Sequence, residues 1–208
     1  LSRMMNWEYD GFFRIGMHHR NERDAIIQHG TMTLVRKTAL VDSGNWSEWC
    51  ICEDAELGLR MMNSGWETRY VDAVLGEGLT PTDFAAFKSQ RSRWAFGAMQ
   101  ILKRRWKWLA GRGSLTMGQR FHFVTGWFGW FADSLHLVFT LASLAWTVGM
   151  VVNPANFSLP LPVYLVPVLG FLVAKALFGP VLYIKRVDCG WRDVFGASLA
   201  SLALSHAI

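Results

Sequence analysis

Residues 90–100 read QRSRWAFGAMQ. On a helix, positions i, i+3 and i+4 share a face, so Gln90, Arg93 and Trp94 point the same way. An amide, a guanidinium and an indole side by side make a polar and aromatic cluster rather than a core stripe. The stretch leads into the basic run KRRWKW and then into a long apolar region. The first question is what such a cluster handles at that border.

Working back toward the N-terminus, Thr80-Pro81-Thr82-Asp83 reads as a helix start. It offers a hydroxyl cap, proline at the first helical position and an acid in the first turn. Phe84, Phe87, Trp94, Ala98 and Ile101 then recur at helical spacing, so residues 81–120 read as an amphipathic, tryptophan-bearing helix region suited to a membrane interface. Before it, ETRYVDAVL (67–75) alternates like a strand. EDAELGLRMMNSG reads as a short helix ended by Ser64-Gly65, with Leu57, Met61 and Met62 on its buried side. KTALVDSG predicts one helical turn closed by Gly44, and TMTLVRK (31–37) a strand. FFRIGMHHRNERDAII, within 9–28, predicts a helix that stops at a His29-Gly30 turn. Strand, helix, strand in short succession marks residues 1–80 as the end of an α/β domain.

Working forward, residues 121–208 predict about three membrane spans, the last cut short: 135–152 without charge, 163–183 apolar except for Lys175, and a third from 194. The loop between the first two has no charge. Basic residues precede the first span, and Lys185, Arg186 and Arg192 follow the second, so the positive-inside rule places residues 1–120 in the cytoplasm. His136, Thr140, Ser143 and Thr147 fall on one face of the first span with Asp133 just below, and Ser198, Ser201 and Ser205 on one face of the third. Polar stripes of this kind face a partner helix or a hydrated path.

The chain of 208 residues carries a net charge of +5. That charge is concentrated, because no acidic residue lies between Asp83 and Asp133 while Lys103, Arg104, Arg105, Lys107, Arg112 and Arg120 crowd the same stretch. Beside apolar spans this fits anionic lipid headgroups rather than nucleic acid. Cys50, Cys52 and Cys189 suit neither a disulfide framework nor a four-ligand zinc site, and read as reduced thiols. Without an initiator methionine or a signal-peptide pattern, and with a last apolar segment shorter than a bilayer requires, the chain reads as a piece open at both ends.

Three signals follow in order: HGTMT at 29–33, CEDAELGL at 52–59 and QRSRW at 90–94. Together, and followed by apolar spans, they resemble the processive family 2 glycosyltransferases, the cellulose, chitin and hyaluronan synthase group. The wording around HGTMTLVRKTAL and WCICEDAELGLR is most similar to bacterial β-glucan synthases, including the cyclic β-(1,3)-glucan type. The resemblance implies the C-terminal part of a GT-A-like α/β glycosyltransferase domain, then an interfacial helix and transmembrane helices. It implies a multi-pass enzyme of the bacterial inner membrane that passes a sugar, most simply glucose from UDP-glucose, to a growing glycan while moving the product across the bilayer. In that family the Glu-Asp segment supplies the base and Q-x-x-R-W closes the site.

The chemistry asks for the same residue types. Inverting transfer needs a carboxylate to take the acceptor hydroxyl's proton, and Asp54 is the candidate base. By residue type alone Asp54 is equally suited to cap a helix starting at Ala55, and the two roles are compatible. Arg93 suits a departing diphosphate, Trp94 a sugar ring, and Gln90 donor or acceptor hydroxyls. Glu53, His29 and Gly30 complete the expected substrate-binding set.

Two features depart from the family pattern. Cys52 stands where a threonine is usual, and no Asp-x-Asp occurs, so the Mg2+ or Mn2+ expected of the full-length enzyme has no ligands here. His18-His19 and His29 lack carboxylates at ligand spacing. Two rival readings remain: a non-processive transferase acting on a lipid acceptor, and a non-catalytic membrane subunit for glycan export.

Overall fold

The computed structural model describes residues 2–157, 166, 169–170, 173, 177, 180–187 and 189–205, with 128–137 and 199–205 described as helical backbone only. The chain opens with α1 (Ser2–Gly11), which continues through a π-helical stretch Phe12–Met17 into α2 (His18–Asn21). Next come α3 (Lys37–Asp42), α4 (Glu53–Asn63) and α5 (Phe84–Lys107). A π-helical turn Trp108–Arg112 follows, then α6 (Met117–Val152) and α7 (Trp191–Ser205).

The first helical run stops at Asn21, so residues 22–28 are not the helix end that the sequence predicts. Asp24 breaks it with a positive φ of 49°, and its carboxylate is spent elsewhere. One of its oxygens accepts from Thr68 N at 2.6 Å and from Thr68 Oγ1 at 2.8 Å, while Asn21 Oδ1 accepts from Tyr70 N at 2.8 Å. The predicted strands at 31–37 and 67–75 do not form, since no strand occurs among the described residues, and these bonds occupy the backbone of the second. A ladder needs a neighbouring strand, and in the second segment the alternate N–H groups of Thr68 and Tyr70 are met by side chains instead.

The helix ends follow the turn chemistry more closely. α3 closes at Gly44 and α4 at Gly65, where φ values of +85° and +86° suit a residue without a Cβ. α5 starts three residues later than the Pro81 reading, because Asp83 is its N-cap and accepts from Ala86 N at 2.8 Å. At the start of α6 a Thr116–Gln119 capping box satisfies two backbone donors, and Gln119 also donates to Asp24 O at 2.9 Å.

One buried cluster joins the functional helices. Leu59 and Met62 of α4 pack with Ala98 and Ile101 of α5, with Leu115, and with Phe123 and Trp127 of α6. Leu57 and Met61 turn the other way, onto Ala39 of α3. α1 instead packs on α7, where Arg3 pairs with Asp193 at 2.8 Å, and on α5, where Met5 meets Phe87.

Among the described residues no helix is long and apolar enough to cross a membrane, so the predicted spans are not supported there. The first falls in the C-terminal half of α6, where the side chains of Asp133 and His136 lie outside the described residues. Thr147 Oγ1 donates to Ser143 O at 2.8 Å, so this hydroxyl is satisfied within its own helix rather than by a partner. The second, with Lys175, lies mostly outside the described residues. The third is α7, whose 15 residues make it shorter than a bilayer requires. Its Ser198 Oγ likewise donates back to Val194 O at 2.8 Å, and the side chains of Ser201 and Ser205 lie outside the described residues.

Candidate active site

Asp54 sits in the first turn of α4, not at its cap. The helix begins at Glu53, two residues before the Ala55 start of the capping reading, and the N-cap Cys52 makes no side-chain cap bond. Asp54 Oδ1 accepts from Ala55 N at 2.7 Å. The other oxygen lies against Gly30, where a Cβ would stand 3.0 Å from Oδ2 and where φ is +73°. Glycine is therefore required at position 30 by both space and backbone conformation. The HGT turn and the Glu-Asp turn, 24 residues apart in sequence, meet at this contact.

Burial raises the Asp54 pKa above its ordinary value, the Ala55 amide pulls it back, and the neighbouring charge of Glu53 adds to the rise. A carboxylate so placed is a stronger base than an exposed one. Glu53 itself is exposed.

His29 lies within 5.1 Å of the Phe12 ring and 5.5 Å of Phe13, edge to face. Burial, with the charge of Arg20, lowers its pKa to about 4, so the ring is neutral at pH 7. Its Nε2 is buried without a hydrogen-bond partner.

The loop leading into Asp54 is fastened to α5 at several points. Gln100 donates through Nε2 to Trp49 O and accepts from Ile51 N, both at 3.1 Å. The Cys50 thiol approaches Gly97 O at 3.9 Å and the Cys52 thiol approaches Arg93 O at 3.8 Å. Burial and the nearby Asp54 charge push the Cys52 pKa up to about 12, so it stays a thiol and acts as a weak donor rather than a nucleophile.

One turn into α4, Glu56 is fully buried. It accepts from Ser47 Oγ at 2.5 Å, from Arg60 at 2.6 Å and from Arg105 of α5 at 2.8 Å. Burial alone would raise its pKa, but these donors more than offset that and hold it below the ordinary carboxylate value. The Glu56–Arg105 pair ties the helix that carries Asp54 to the helix that carries QRSRW, while Arg60, on α4 itself, fastens it to Ser43, Asn45 and Ser47.

The QRSRW residues lie on the continuous helix α5. Gln90 Oε1 accepts from Tyr9 OH of α1 at 2.9 Å, and the Trp94 ring meets the Tyr9 ring edge-on at 6.4 Å. Arg93 is exposed, and its contribution to the fastening is its backbone carbonyl. Gln90 and Trp94 thus both meet Tyr9, while the Arg93 side chain is exposed. Arg91 takes the interior place: it pairs with Glu8 at 2.7 Å and lies over Trp94 at 4.7 Å.

Sequence reasoning missed Glu8, Tyr9, Arg91, Gln100, Glu56 and Arg105. Gln100 and Arg105 lie on α5 at helical spacing from the cluster and were legible as its continuation. Glu8 and Tyr9 had no local signal, since the chain separates Tyr9 from Gln90 by 81 residues.

A divalent cation, general in this type of transferase, does not fit these residues. Among the described residues no group of three His, Cys, Asp or Glu side chains could hold a metal ion. Among the described residues the acid acting on Asp54 is Glu53, and no step below is routed through a metal.

A model for the glycosyl transferase family group 2 matches residues 6–159. A cellulose synthase 1 catalytic subunit (UDP-forming) of Komagataeibacter xylinus is 29% identical over 172 residues, covering 83% of this chain and 22% of that protein. A cellulose synthase 1 of Novacetimonas hansenii is 30% identical over 83% of this chain and 10% of its own length. A probable glucomannan 4-beta-mannosyltransferase 2 of Oryza sativa subsp. japonica is 25% identical over 62% of this chain and 22% of its own. The chain therefore spans a quarter or less of these relatives. The match runs from α1 past the end of α6 and includes both turns at Asp54 and the whole of α5, so the chain belongs to the family 2 glycosyltransferases.

Proposed function

We propose that the complete polypeptide is a β-glycan synthase that adds a hexose, most simply glucose from UDP-glucose, to the end of a growing chain with inversion. The observation that carries this reading is the placement of Asp54. A carboxylate of raised basicity lies against the Gly30 turn, on a loop fastened to the helix that presents Gln90, Arg93 and Trp94.

In this reading Asp54 takes the proton of the acceptor hydroxyl as it attacks the anomeric carbon, and the bond to the nucleotide diphosphate breaks. Arg93, exposed on the helix surface, meets the leaving diphosphate. Gln90 and Trp94 hold the acceptor sugar by hydrogen bond and ring contact. Gly30 keeps the approach to Asp54 clear, while Glu53 and the unpartnered His29 Nε2 serve the substrate hydroxyls. A Mg2+ or Mn2+ that the donor carries is held by other residues of the complete polypeptide.

Asp54→Asn keeps size and polarity while removing the base. Donor binding should stay within a few fold and synthesis should fall by about 10²-fold or more. Near-normal synthesis by this variant would end the reading.

The same proposal places residues 1–120 on the cytoplasmic side of a bacterial inner membrane. Support comes from the basic run of α5 and from the exposed Val138, Leu141, Leu144 and Val148 of α6, an apolar surface that water would not favour. A cysteine placed at Asn156 should label from outside the cell and one at Gly113 only after permeabilisation. The opposite pattern would remove the active site from its donor.

A further inference from the structure

Arg91 lies inside the QRSRW stretch, next to Gln90 and three residues before Trp94 on α5, so helical spacing sets it beside the indole. Its surroundings are unusual for a charged residue on an interfacial helix. The side chain is only 12% exposed, and its guanidinium lies over three rings: Trp94 at 4.7 Å, Phe87 at 5.0 Å and Tyr9 at 5.7 Å. Its one ion pair is with Glu8 at 2.7 Å, and Glu8 neighbours Tyr9, whose hydroxyl donates to Gln90. Each member of this group therefore touches Gln90 or Trp94, or holds a residue that does.

We propose that Glu8, Tyr9 and Arg91 form a positioning clamp for the acceptor sugar. Arg91, oriented by Glu8, fixes the plane of the Trp94 indole, and Tyr9 fixes the rotamer of Gln90. The inference rests on the acceptor role proposed above for Gln90 and Trp94, and adds three residues of which two belong to a different helix.

The physical reason is the geometry of the groups. An indole on a helix surface has several rotamers, and a sugar stacks on only one of its orientations. A planar cation in van der Waals reach of one face removes that freedom, and leaves the other face and the ring edge for a ligand. Arginine suits this task and lysine does not, because an ammonium is compact and has no plane. Glu8 supplies the orientation: burial raises its pKa and the Arg91 charge lowers it, so the pair is held as a desolvated contact rather than a solvent-exposed one. The Tyr9 hydroxyl leaves the Gln90 amide one committed acceptor and a free NH2 group for a substrate hydroxyl.

The test uses the complete polypeptide in its membrane and a short β-linked gluco-oligosaccharide as the probe. Its affinity is measured by calorimetry, beside KM for the oligosaccharide, KM for the nucleotide sugar and kcat. Tyr9→Phe and Glu8→Gln keep the size and shape of the side chains they replace, and Arg91→Lys keeps the charge while removing the plane; each should weaken oligosaccharide binding by about three- to tenfold, the weight of one interaction. KM for the nucleotide sugar should stay unchanged. The decisive arm repeats Glu8→Gln and Arg91→Lys in a Trp94→Ala background. A clamp that acts through the indole has nothing left to act on, so no further loss of affinity is expected.

Equal losses with and without Trp94, or losses shared by the nucleotide sugar, would make these residues merely structural and overturn the proposal. Unchanged oligosaccharide affinity in all three variants would do the same. An unsubstituted enzyme that ignores the oligosaccharide while still making glycan would instead remove the acceptor role of Gln90 and Trp94, and the clamp with it.

Discussion

Gly97 of α5 and Cys52 of the Asp54 turn are in direct contact, so close that a Cβ at position 97 would overlap the Cys52 sulfur and stand 2.8 Å from its Cβ. Glycine here is a requirement of approach rather than of backbone conformation, since the residue lies inside a helix. The contact lets the loop carrying the base lie flat on the helix carrying QRSRW.

Gly97→Ala should therefore push the two elements apart. A stability loss of about 1–3 kcal/mol is expected from the overlap, with a larger fractional loss of synthesis than of donor binding. Thermal unfolding and kinetics on the same preparation check this. Cys52→Ala, added to Gly97→Ala, should recover part of both by removing the sulfur that the new methyl meets. No recovery would mean that the contact does not position Asp54.

The raised basicity of Asp54 should appear in the pH profile. Synthesis needs the ionised form, so activity should fall as pH drops through the Asp54 pKa, and this acid limb should lie above the ordinary aspartate value of ~3.9. Asp54→Asn should remove the limb together with most of the rate. An acid limb at the ordinary value would show that burial does not tune this carboxylate.

Glu56 is the buried carboxylate on which α4 and α5 converge. Glu56→Gln leaves Arg60 and Arg105 partly unsatisfied in the interior, and breaking buried pairs in this way costs about 3–5 kcal/mol. Because its folded pKa is depressed, its contribution is present above the unfolded value near 4.3 and is lost as pH falls through the folded pKa. Urea unfolding at neutral and acidic pH should find wild type and variant converging only in acid. A constant difference at all pH values would contradict the ion-pair account.

His29 acts in a higher window. Its folded pKa of about 4 lies below the unfolded value of ~6.5, so the unfolded chain takes up a proton that the folded chain refuses. Stability should decline between those two values as pH falls, by about 3 kcal/mol at most. His29→Phe should flatten this decline while leaving stability at pH 8 nearly unchanged. A pH-independent wild type would mean that the imidazole is hydrated rather than buried among Phe12 and Phe13.

The sequence by itself determined what could be read within one helical turn or one loop. The α4 stop at Gly65 and the α3 stop at Gly44 follow from positive φ, which local sequence specifies. The continuous α5 through QRSRW follows from apolar spacing, and the family from three motifs in order. Only the tertiary structure decided which of these residues meet. Helical spacing put Gln90, Arg93 and Trp94 on one face, but the arrival of α1 chose Arg91 for the interior and left Arg93 in solvent. Alternation predicted strands at 31–37 and 67–75, yet a strand exists only beside another, and at Thr68 and Tyr70 of the second Asp24 and Asn21 took bonds that a neighbour would have made. Pattern along the chain reports what a segment can do locally. The choice between pairing, burial and exposure is made by groups tens of residues away, whose approach no local pattern encodes.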